Sequence, residues 1–209
     1  MNEHLKNHPF WGLSSPLSSL SCLPLMIIAS GRLAFALIAA GALLWVFGLS
    51  CLVYKAAGPV LPRKGISLVM TLLSSFTGSL FFMLFSLISP ILALETAFML
   101  VLVPISCVSC GIFSRVEKLD TGGAVTAALL DALIIGLLII ALALIREPFG
   151  YGSLSVPAPS GLIEIITSDS EYVFSVRTLS ASGGALILLG YAVGLFRSIR
   201  QRHYNTGNT

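Results

Sequence analysis

The sequence predicts an all-α membrane protein whose six transmembrane helices form two inverted three-helix repeats. The 209-residue chain is 56% hydrophobic and only 10% charged, and its mean hydropathy is +0.96. A chain of this composition has more apolar side chains than the core of a soluble protein can bury. Six apolar segments approach the roughly 20 residues that a spanning helix needs. A heptapeptide in the first segment also returns in the fourth, as expected for a duplicated half.

The repeated stretch is Pro-Leu-Ser-Ser-Leu-Ser-Cys at 16–22, which returns as Pro-Ile-Ser-Cys-Val-Ser-Cys at 104–110. Each position is identical or a near substitute, except that Cys107 stands where the first copy has Ser19. The two halves, at about 10–91 and 97–197, are therefore expected to form a single membrane domain in which one half copies the other.

The apolar segments are interrupted where the repeat occurs. Pro16 and Pro24 fall in the first segment and Pro104 falls in the fourth, so helices one and four are expected to be broken. The six segments lie at about 10–30, 33–54, 66–91, 97–114, 124–145 and 181–197.

The basic residues predict the orientation in the membrane. Nine of the twelve lysines and arginines fall on one side of the predicted spans, and Arg32, Arg146 and Arg177 fall on the other. The excess places both termini in the cytoplasm, with the chain in the cell inner membrane. Because the charges lie at segment ends and not in one patch, nucleic acid is not an expected partner. Residues 146–180 form the one long external loop, whose apolar piece either docks a partner or serves as a plain connector.

Two cysteines are expected to meet near the middle of the bilayer. Three helices per half is an odd number, so the second copy enters the membrane from the opposite face. Cys22 lies about 12 residues into its segment and Cys110 about 13, which is roughly 18–20 Å from each starting edge. Both then lie near the centre of a core roughly 30 Å thick and can share a site.

Thiolates select iron–sulfur clusters, zinc or copper(I), but two ligands are too few for a four-coordinate centre. The remaining ligands come either from Cys51 and Cys107 or from a second chain. Cys107 has no counterpart in the first copy of the repeat, which favours a partner subunit. Asp131, well inside the fifth segment, is either part of an ion path or a structural hydrogen-bonding residue.

The sequence contains no nucleotide-binding glycine loop and no recognisable hydrolase or metalloprotease motif. An electron or ion conductor that is not catalytic alone fits better than an independent enzyme. A small inverted-repeat secondary transporter without a redox centre is the alternative, and a purely structural assembly subunit is a third possibility.

Several stretches, in the right order over nearly the whole chain, resemble one family of membrane subunits. The family comprises the paired six-helix subunits of the Rnf-type ion-translocating ferredoxin:NAD oxidoreductase and of the sodium-translocating NADH:quinone reductase. The chain is more similar to Rnf E (Nqr D) than to its sister, Rnf A (Nqr E). The stretches that carry the resemblance are 20–25, 103–110, 114–117, 131–134, 146–147 with 150–154, and 164–170.

This resemblance implies a cofactor and partners. Cys22 and Cys110 would supply two of the four ligands to a [2Fe–2S] cluster, and the sister subunit would supply the other two. The cluster would pass electrons across the bilayer, between cytoplasmic iron–sulfur subunits and external flavin subunits, while the complex moves Na⁺ or H⁺. The family's Arg-Glu pair at the end of the fifth helix corresponds to Arg146 and Glu147, for which the sequence suggests no role.

Overall fold

The protein is mostly helical. The computed structural model describes residues 22–57, 66–113, 119–159, 161–167, 179 and 181–206. Across these ranges the chain forms six α-helices and a two-stranded antiparallel sheet. The helices are α1 (Leu23–Ala29), α2 (Leu33–Ala57), α3 (Ile66–Ile88), α4 (Pro90–Ser109), α5 (Thr121–Tyr151) and α6 (Ser182–Thr206), and the strands are β1 (Ser153–Ala158) and β2 (Gly161–Thr167).

Four of these helices, α2 to α5, are long and apolar enough to cross a membrane. The apolar part of α6, Ser182–Leu195, is shorter than a full span, and α1 has only 7 residues. The expectation of a mostly helical protein with membrane-length helices is thus confirmed; four such helices lie among the described residues, and the sequence predicted six spans. Residues 16–21, with Pro16 and the first copy of the heptapeptide up to Ser21, lie outside the described residues.

Helices α2 and α5 pack along most of their lengths, because small residues let their backbones approach. A Cβ atom at Gly136 would lie 3.0 Å from the Cβ of Ala40, and one at Gly48 would lie 3.2 Å from Leu129. The hydroxyl groups of Ser50 and Thr77 share a buried hydrogen bond of 2.9 Å between α2 and α3. Apart from such contacts, α3 is mostly exposed, as expected for a helix that faces lipid or another subunit.

Three features of α3 and α4 differ from the sequence-based expectation. The third span ends at Ile88, and α4 begins two residues later at Pro90. Glu95, expected between the two spans, is therefore an exposed residue within α4. The helix is also not broken at Pro104. Gly78 on α3 leaves room for the proline ring, because a Cβ there would come within 2.6 Å of Pro104 Cγ.

The segment after the fifth span also differs in detail from the predicted external loop at 146–180. Helix α5 continues to Tyr151 and ends at Gly152, whose φ of 68° is left-handed and favours glycine. Strands β1 and β2 then form a hairpin with a register shift between Leu154 and Ser155. The apolar piece expected in this loop is largely strand β2. Residues 168–178 lie outside the described part of the chain.

Candidate metal centre

Cys22 lies where α1 begins. Its backbone carbonyl accepts a hydrogen bond of 2.9 Å from the N–H of Met26. Pro24 lies in the first turn of this helix, where the missing N–H of proline costs nothing because the first turn leaves its N–H groups unpaired. Pro24 therefore helps to start α1 and does not break it, and the thiol of Cys22 lies at a defined helix end.

Cys110 lies where α4 ends. Its N–H donates a hydrogen bond of 3.0 Å to the carbonyl of Ser106. The next residue, Gly111, has a φ of 64°, a conformation in which a side chain is strained but glycine is not. The N–H of Gly111 also donates to the carbonyl of Val108 at 3.1 Å. The glycine thus lets the chain turn immediately after the second thiol.

The structure brings these two cysteines together. Their Sγ atoms lie 3.0 Å apart, although 88 positions separate them in the sequence. The Cys22 and Cys110 residues are only 1% and 8% exposed, respectively. The site is therefore a buried pair of thiols formed by the start of one helix and the end of another.

Helix α1 runs in the opposite direction to α4. The N-terminal end of α1 lies next to the C-terminal end of α4, where the two thiols are in contact. Near its other end, Ile27 and Ile28 share a cavity with Thr96 and Met99, which lie in the first half of α4. The thiol pair therefore joins two antiparallel segments.

The other two cysteines do not complete a metal site. Cys51 in α2 and Cys107 in α4 are fully buried. All four cysteines lie within the described residues, yet no three His, Cys, Asp or Glu residues in those ranges gather closely enough to hold a metal ion. The alternative in which one chain supplies all four thiolates therefore has no such group of ligands behind it in the described residues. The sulfur–sulfur contact in the described part of the chain is that between Cys22 and Cys110.

The pair of thiols fits half of a four-coordinate metal site. The distance of 3.0 Å between the two Sγ atoms is longer than the sulfur–sulfur bond of a disulfide, which is roughly 2.05 Å. It is shorter than the separation of about 3.8 Å that two thiolates have on one tetrahedral ion with metal–sulfur bonds of about 2.3 Å. A small side-chain rotation would bring both sulfur atoms onto one ion, so Cys22 and Cys110 could each contribute one ligand.

Arg146 holds the other end of α1. Its guanidinium group donates hydrogen bonds to the carbonyl of Ile27 at 2.9 Å and to the hydroxyl of Ser30 at 3.0 Å. It also donates to the carbonyls of Leu179 at 2.7 Å and Ala181 at 2.9 Å. One buried side chain thus ties α5 to the end of α1 and to the segment that precedes α6. By fixing α1, Arg146 also positions Cys22.

Glu147, the next residue along α5, holds the start of α2. Its Oε2 atom accepts a hydrogen bond of 2.6 Å from the N–H of Leu33. Its Oε1 atom accepts one of 2.9 Å from the N–H of Ser155 in β1. The carboxylate satisfies an N–H that the first turn of a helix leaves without an intrahelical partner. Arg146 and Glu147 thus have a structural role that sequence reasoning missed.

Asp131 is buried on α5, at 5% exposure. It lies on the same face as Ala128, Ala132 and Ile135, which are all buried too. The residue interacts with a neighbouring group in the structure, as expected for a polar residue within a span. Asp131 therefore faces the protein interior and not lipid.

The fold and the site together define a class: a multi-helix membrane protein with a buried pair of cysteine thiols. No protein-family model matches the chain. A protein of Treponema pallidum (strain Nichols), named only "Uncharacterized protein", is 34% identical over 70 residues, which are 34% of this chain and 34% of that protein. The match thus spans about a third of the relative's length.

Proposed function

We propose that this chain is a membrane subunit of an ion-translocating oxidoreductase complex of the Rnf or Nqr type. In this proposal Cys22 and Cys110 bind a [2Fe–2S] cluster that is shared with a sister six-helix subunit. The complex carries electrons across the cell inner membrane, coupled to the transport of Na⁺ or H⁺. The observation that carries the proposal is the separation of 3.0 Å between the two buried Sγ atoms.

The number of thiols supports a shared site. Iron–sulfur clusters of this kind are held by four ligands, and among the described residues no third His, Cys, Asp or Glu joins Cys22 and Cys110. In this proposal a second chain completes the site. A six-helix sister with two similarly placed cysteines would supply the missing pair, and a neighbouring gene that encodes such a protein would be the first sign of it.

The antiparallel arrangement of α1 and α4 supports the inverted-repeat proposal. In an inverted repeat, matching segments enter the membrane from opposite faces and build a site near the midplane. Cys22 and Cys110 occupy matching positions of the repeated heptapeptide, and they meet where α1 begins and α4 ends. The repeat thus explains why two residues so far apart in sequence share one site.

When bound, such a cluster accepts and releases single electrons. What this chain supplies is burial, because apolar residues surround both thiols and limit contact with water. It also supplies a fixed position, since Arg146 ties the far end of α1 to α5. A redox centre within the bilayer shortens the distance that an electron must cross through apolar side chains.

Metal analysis of the purified complex tests this proposal. The complex should contain iron and acid-labile sulfide and should give the electron paramagnetic resonance signal of a reduced [2Fe–2S] cluster. Cys22→Ser and Cys110→Ser should each abolish that signal and the bound iron. Cys51→Ser is the matched control, because Cys51 is also buried but lies on α2, outside the pair.

Two results would overturn the proposal. One is a complex that folds and assembles without iron but binds a solute that it transports, which would favour a secondary transporter. The other is retention of the full iron signal after substitution of either Cys22 or Cys110.

A further inference from the structure

A cavity of about 390 Å³ lies at one end of the bundle, away from the thiol pair. Arg32 lies immediately before α2, and Tyr151 is the last residue of α5. Both residues belong to the types that concentrate where a span meets the membrane surface. If they mark the membrane surface in this way, the cavity that they line would lie near the lipid headgroups.

The cavity has a positively charged end. The guanidinium of Arg32 lies 5.6 Å from the centre of the Tyr151 ring, and among the described residues it forms no ion pair with an acid. The buried guanidinium of Arg146 lines the same space. Ser182, the first residue of α6, also lines it, which adds the partial positive charge of a helix N-terminus.

Part of the cavity lining is apolar and exposed. Ile28 and Phe98 line it and are 37% and 69% exposed, respectively. In a bilayer, exposed apolar side chains of this kind contact the hydrocarbon core. Glu95 lies on α4 less than one turn before Phe98 and is exposed on the same side. The cavity thus combines arginines, one carboxylate and an apolar mouth that faces lipid.

We propose that this cavity binds the headgroup of an aminophospholipid from the surrounding bilayer. The phosphate contacts Arg32, because guanidinium groups bind phosphate oxygens with paired, charge-assisted hydrogen bonds. The ammonium group lies near Glu95, and the acyl chains leave the cavity past Ile28 and Phe98. This site is independent of the proposed redox function, since none of its residues belongs to the thiol pair.

Lipid titration of the full-length protein, monitored by native mass spectrometry, tests the site. Delipidated protein is titrated with phosphatidylethanolamine, phosphatidylglycerol and phosphatidylcholine. Arg32→Gln should weaken binding of phosphatidylethanolamine about tenfold or more, the amount expected for a lost charge-assisted contact. Lys55→Gln is the matched control, because it removes one positive charge from the opposite end of the same helix and should leave binding unchanged.

Glu95→Gln tests the second contact. It should abolish the preference for phosphatidylethanolamine over phosphatidylglycerol and leave phosphate binding in place. Ile28→Trp, which fills the mouth with an apolar ring and changes no charge, should weaken all three lipids. This variant keeps the site testable even if Arg32→Gln does not fold, as judged by thermal unfolding.

The proposal is overturned if Arg32→Gln and Ile28→Trp both bind lipid like the unmodified protein. It is also overturned if inorganic phosphate alone binds as well as the lipid and displaces it, because the ligand would then be free phosphate. Equal binding of all three lipids by the unmodified protein would exclude the ammonium contact with Glu95.

Discussion

The Oε2 atom of Glu147 accepts a hydrogen bond of 2.6 Å from the backbone N–H of Leu33, 114 positions earlier in the chain. The carboxylate binds the N–H of Ser155 with its other oxygen. One side chain near the end of α5 thus fixes the start of α2 and the first strand of the hairpin. The end of α5 is therefore joined to two segments that are distant from each other in the sequence, the start of α2 and strand β1. This arrangement is called the Glu147 junction below.

Glu147→Gln should destabilise this junction. The amide has only one oxygen, so one of the two backbone N–H groups would face the amide nitrogen and lose its acceptor. Leaving a buried donor unpaired costs about 1–3 kcal/mol, which should lower the midpoint of thermal unfolding in detergent. Glu164→Gln is the matched control, because Glu164 is an exposed residue of β2. Equal midpoints for the two variants would show that the junction does not depend on this carboxylate.

Arg146→Lys should loosen the end of α1 although it keeps the charge. The guanidinium donates to four acceptors at once, whereas a lysine ammonium has three donors on a single atom. Amide hydrogen exchange at Ser30 should accelerate about tenfold, as expected for the net loss of a buried charged hydrogen bond. Arg32→Lys is the control, since in the described part of the chain the Arg32 guanidinium lies over the ring of Tyr151, and lysine also binds an aromatic face. Unchanged exchange in Arg146→Lys would contradict the proposed anchoring.

The thiol pair could be predicted from the sequence because the repeat is visible as two heptapeptides with matching residue types. Cys22 and Cys110 occupy the same position in two heptapeptides of opposite expected direction, and their sulfur atoms are adjacent in the structure. The functions of Arg146 and Glu147 could not be anticipated in this way. Most of their partners are backbone carbonyl and N–H groups, which every residue has and which therefore leave no pattern.

Proline shows a second limit of sequence reasoning. Pro104 predicts a break when α4 is considered alone, because proline removes a hydrogen bond and its ring crowds the preceding turn. In the structure α4 continues through Pro104, and the ring lies against Gly78 on α3. This glycine is 26 positions away, so local sequence patterns do not reveal the contact.

Gly78→Ala should therefore disturb the contact between α3 and α4. The new Cβ would lie 2.6 Å from Pro104 Cγ, closer than carbon atoms can approach. The helices must move apart, at a cost of about 1–3 kcal/mol for an overpacked contact, and the thermal midpoint should fall. Gly41→Ala is the matched control in another span, because nothing lies within 4 Å of its added Cβ. A fall of the same size in both variants would mean that the effect does not come from Pro104.

Mild oxidation should link Cys22 to Cys110 in protein from which metal has been removed by chelation. Diamide accepts two electrons and two protons from a pair of thiols, forming one disulfide bond and the corresponding hydrazine. The Sγ separation of 3.0 Å makes this pair the expected product, and peptide mapping without reductant should recover it with a mass loss of two hydrogens. Cys110→Ser should give no such linked peptide. Recovery mainly of links to Cys51 would contradict the arrangement around the thiols.

The Asp131→Asn variant should distinguish between two roles of Asp131, as part of an ion path or as a structural residue of the fifth helix. Asparagine has nearly the same shape and keeps hydrogen bonding, so the packing around this buried residue should be retained. Under the proposed transport function, loss of the negative charge within the span should reduce Na⁺ or H⁺ uptake by proteoliposomes that hold the complex roughly tenfold, because intramembrane carboxylates commonly mark ion pathways. Thr126→Val removes a polar group from an exposed position on the same helix and should have little effect. Normal uptake by Asp131→Asn, together with a lower thermal midpoint in Asp131→Ala, would assign the carboxylate to helix packing instead.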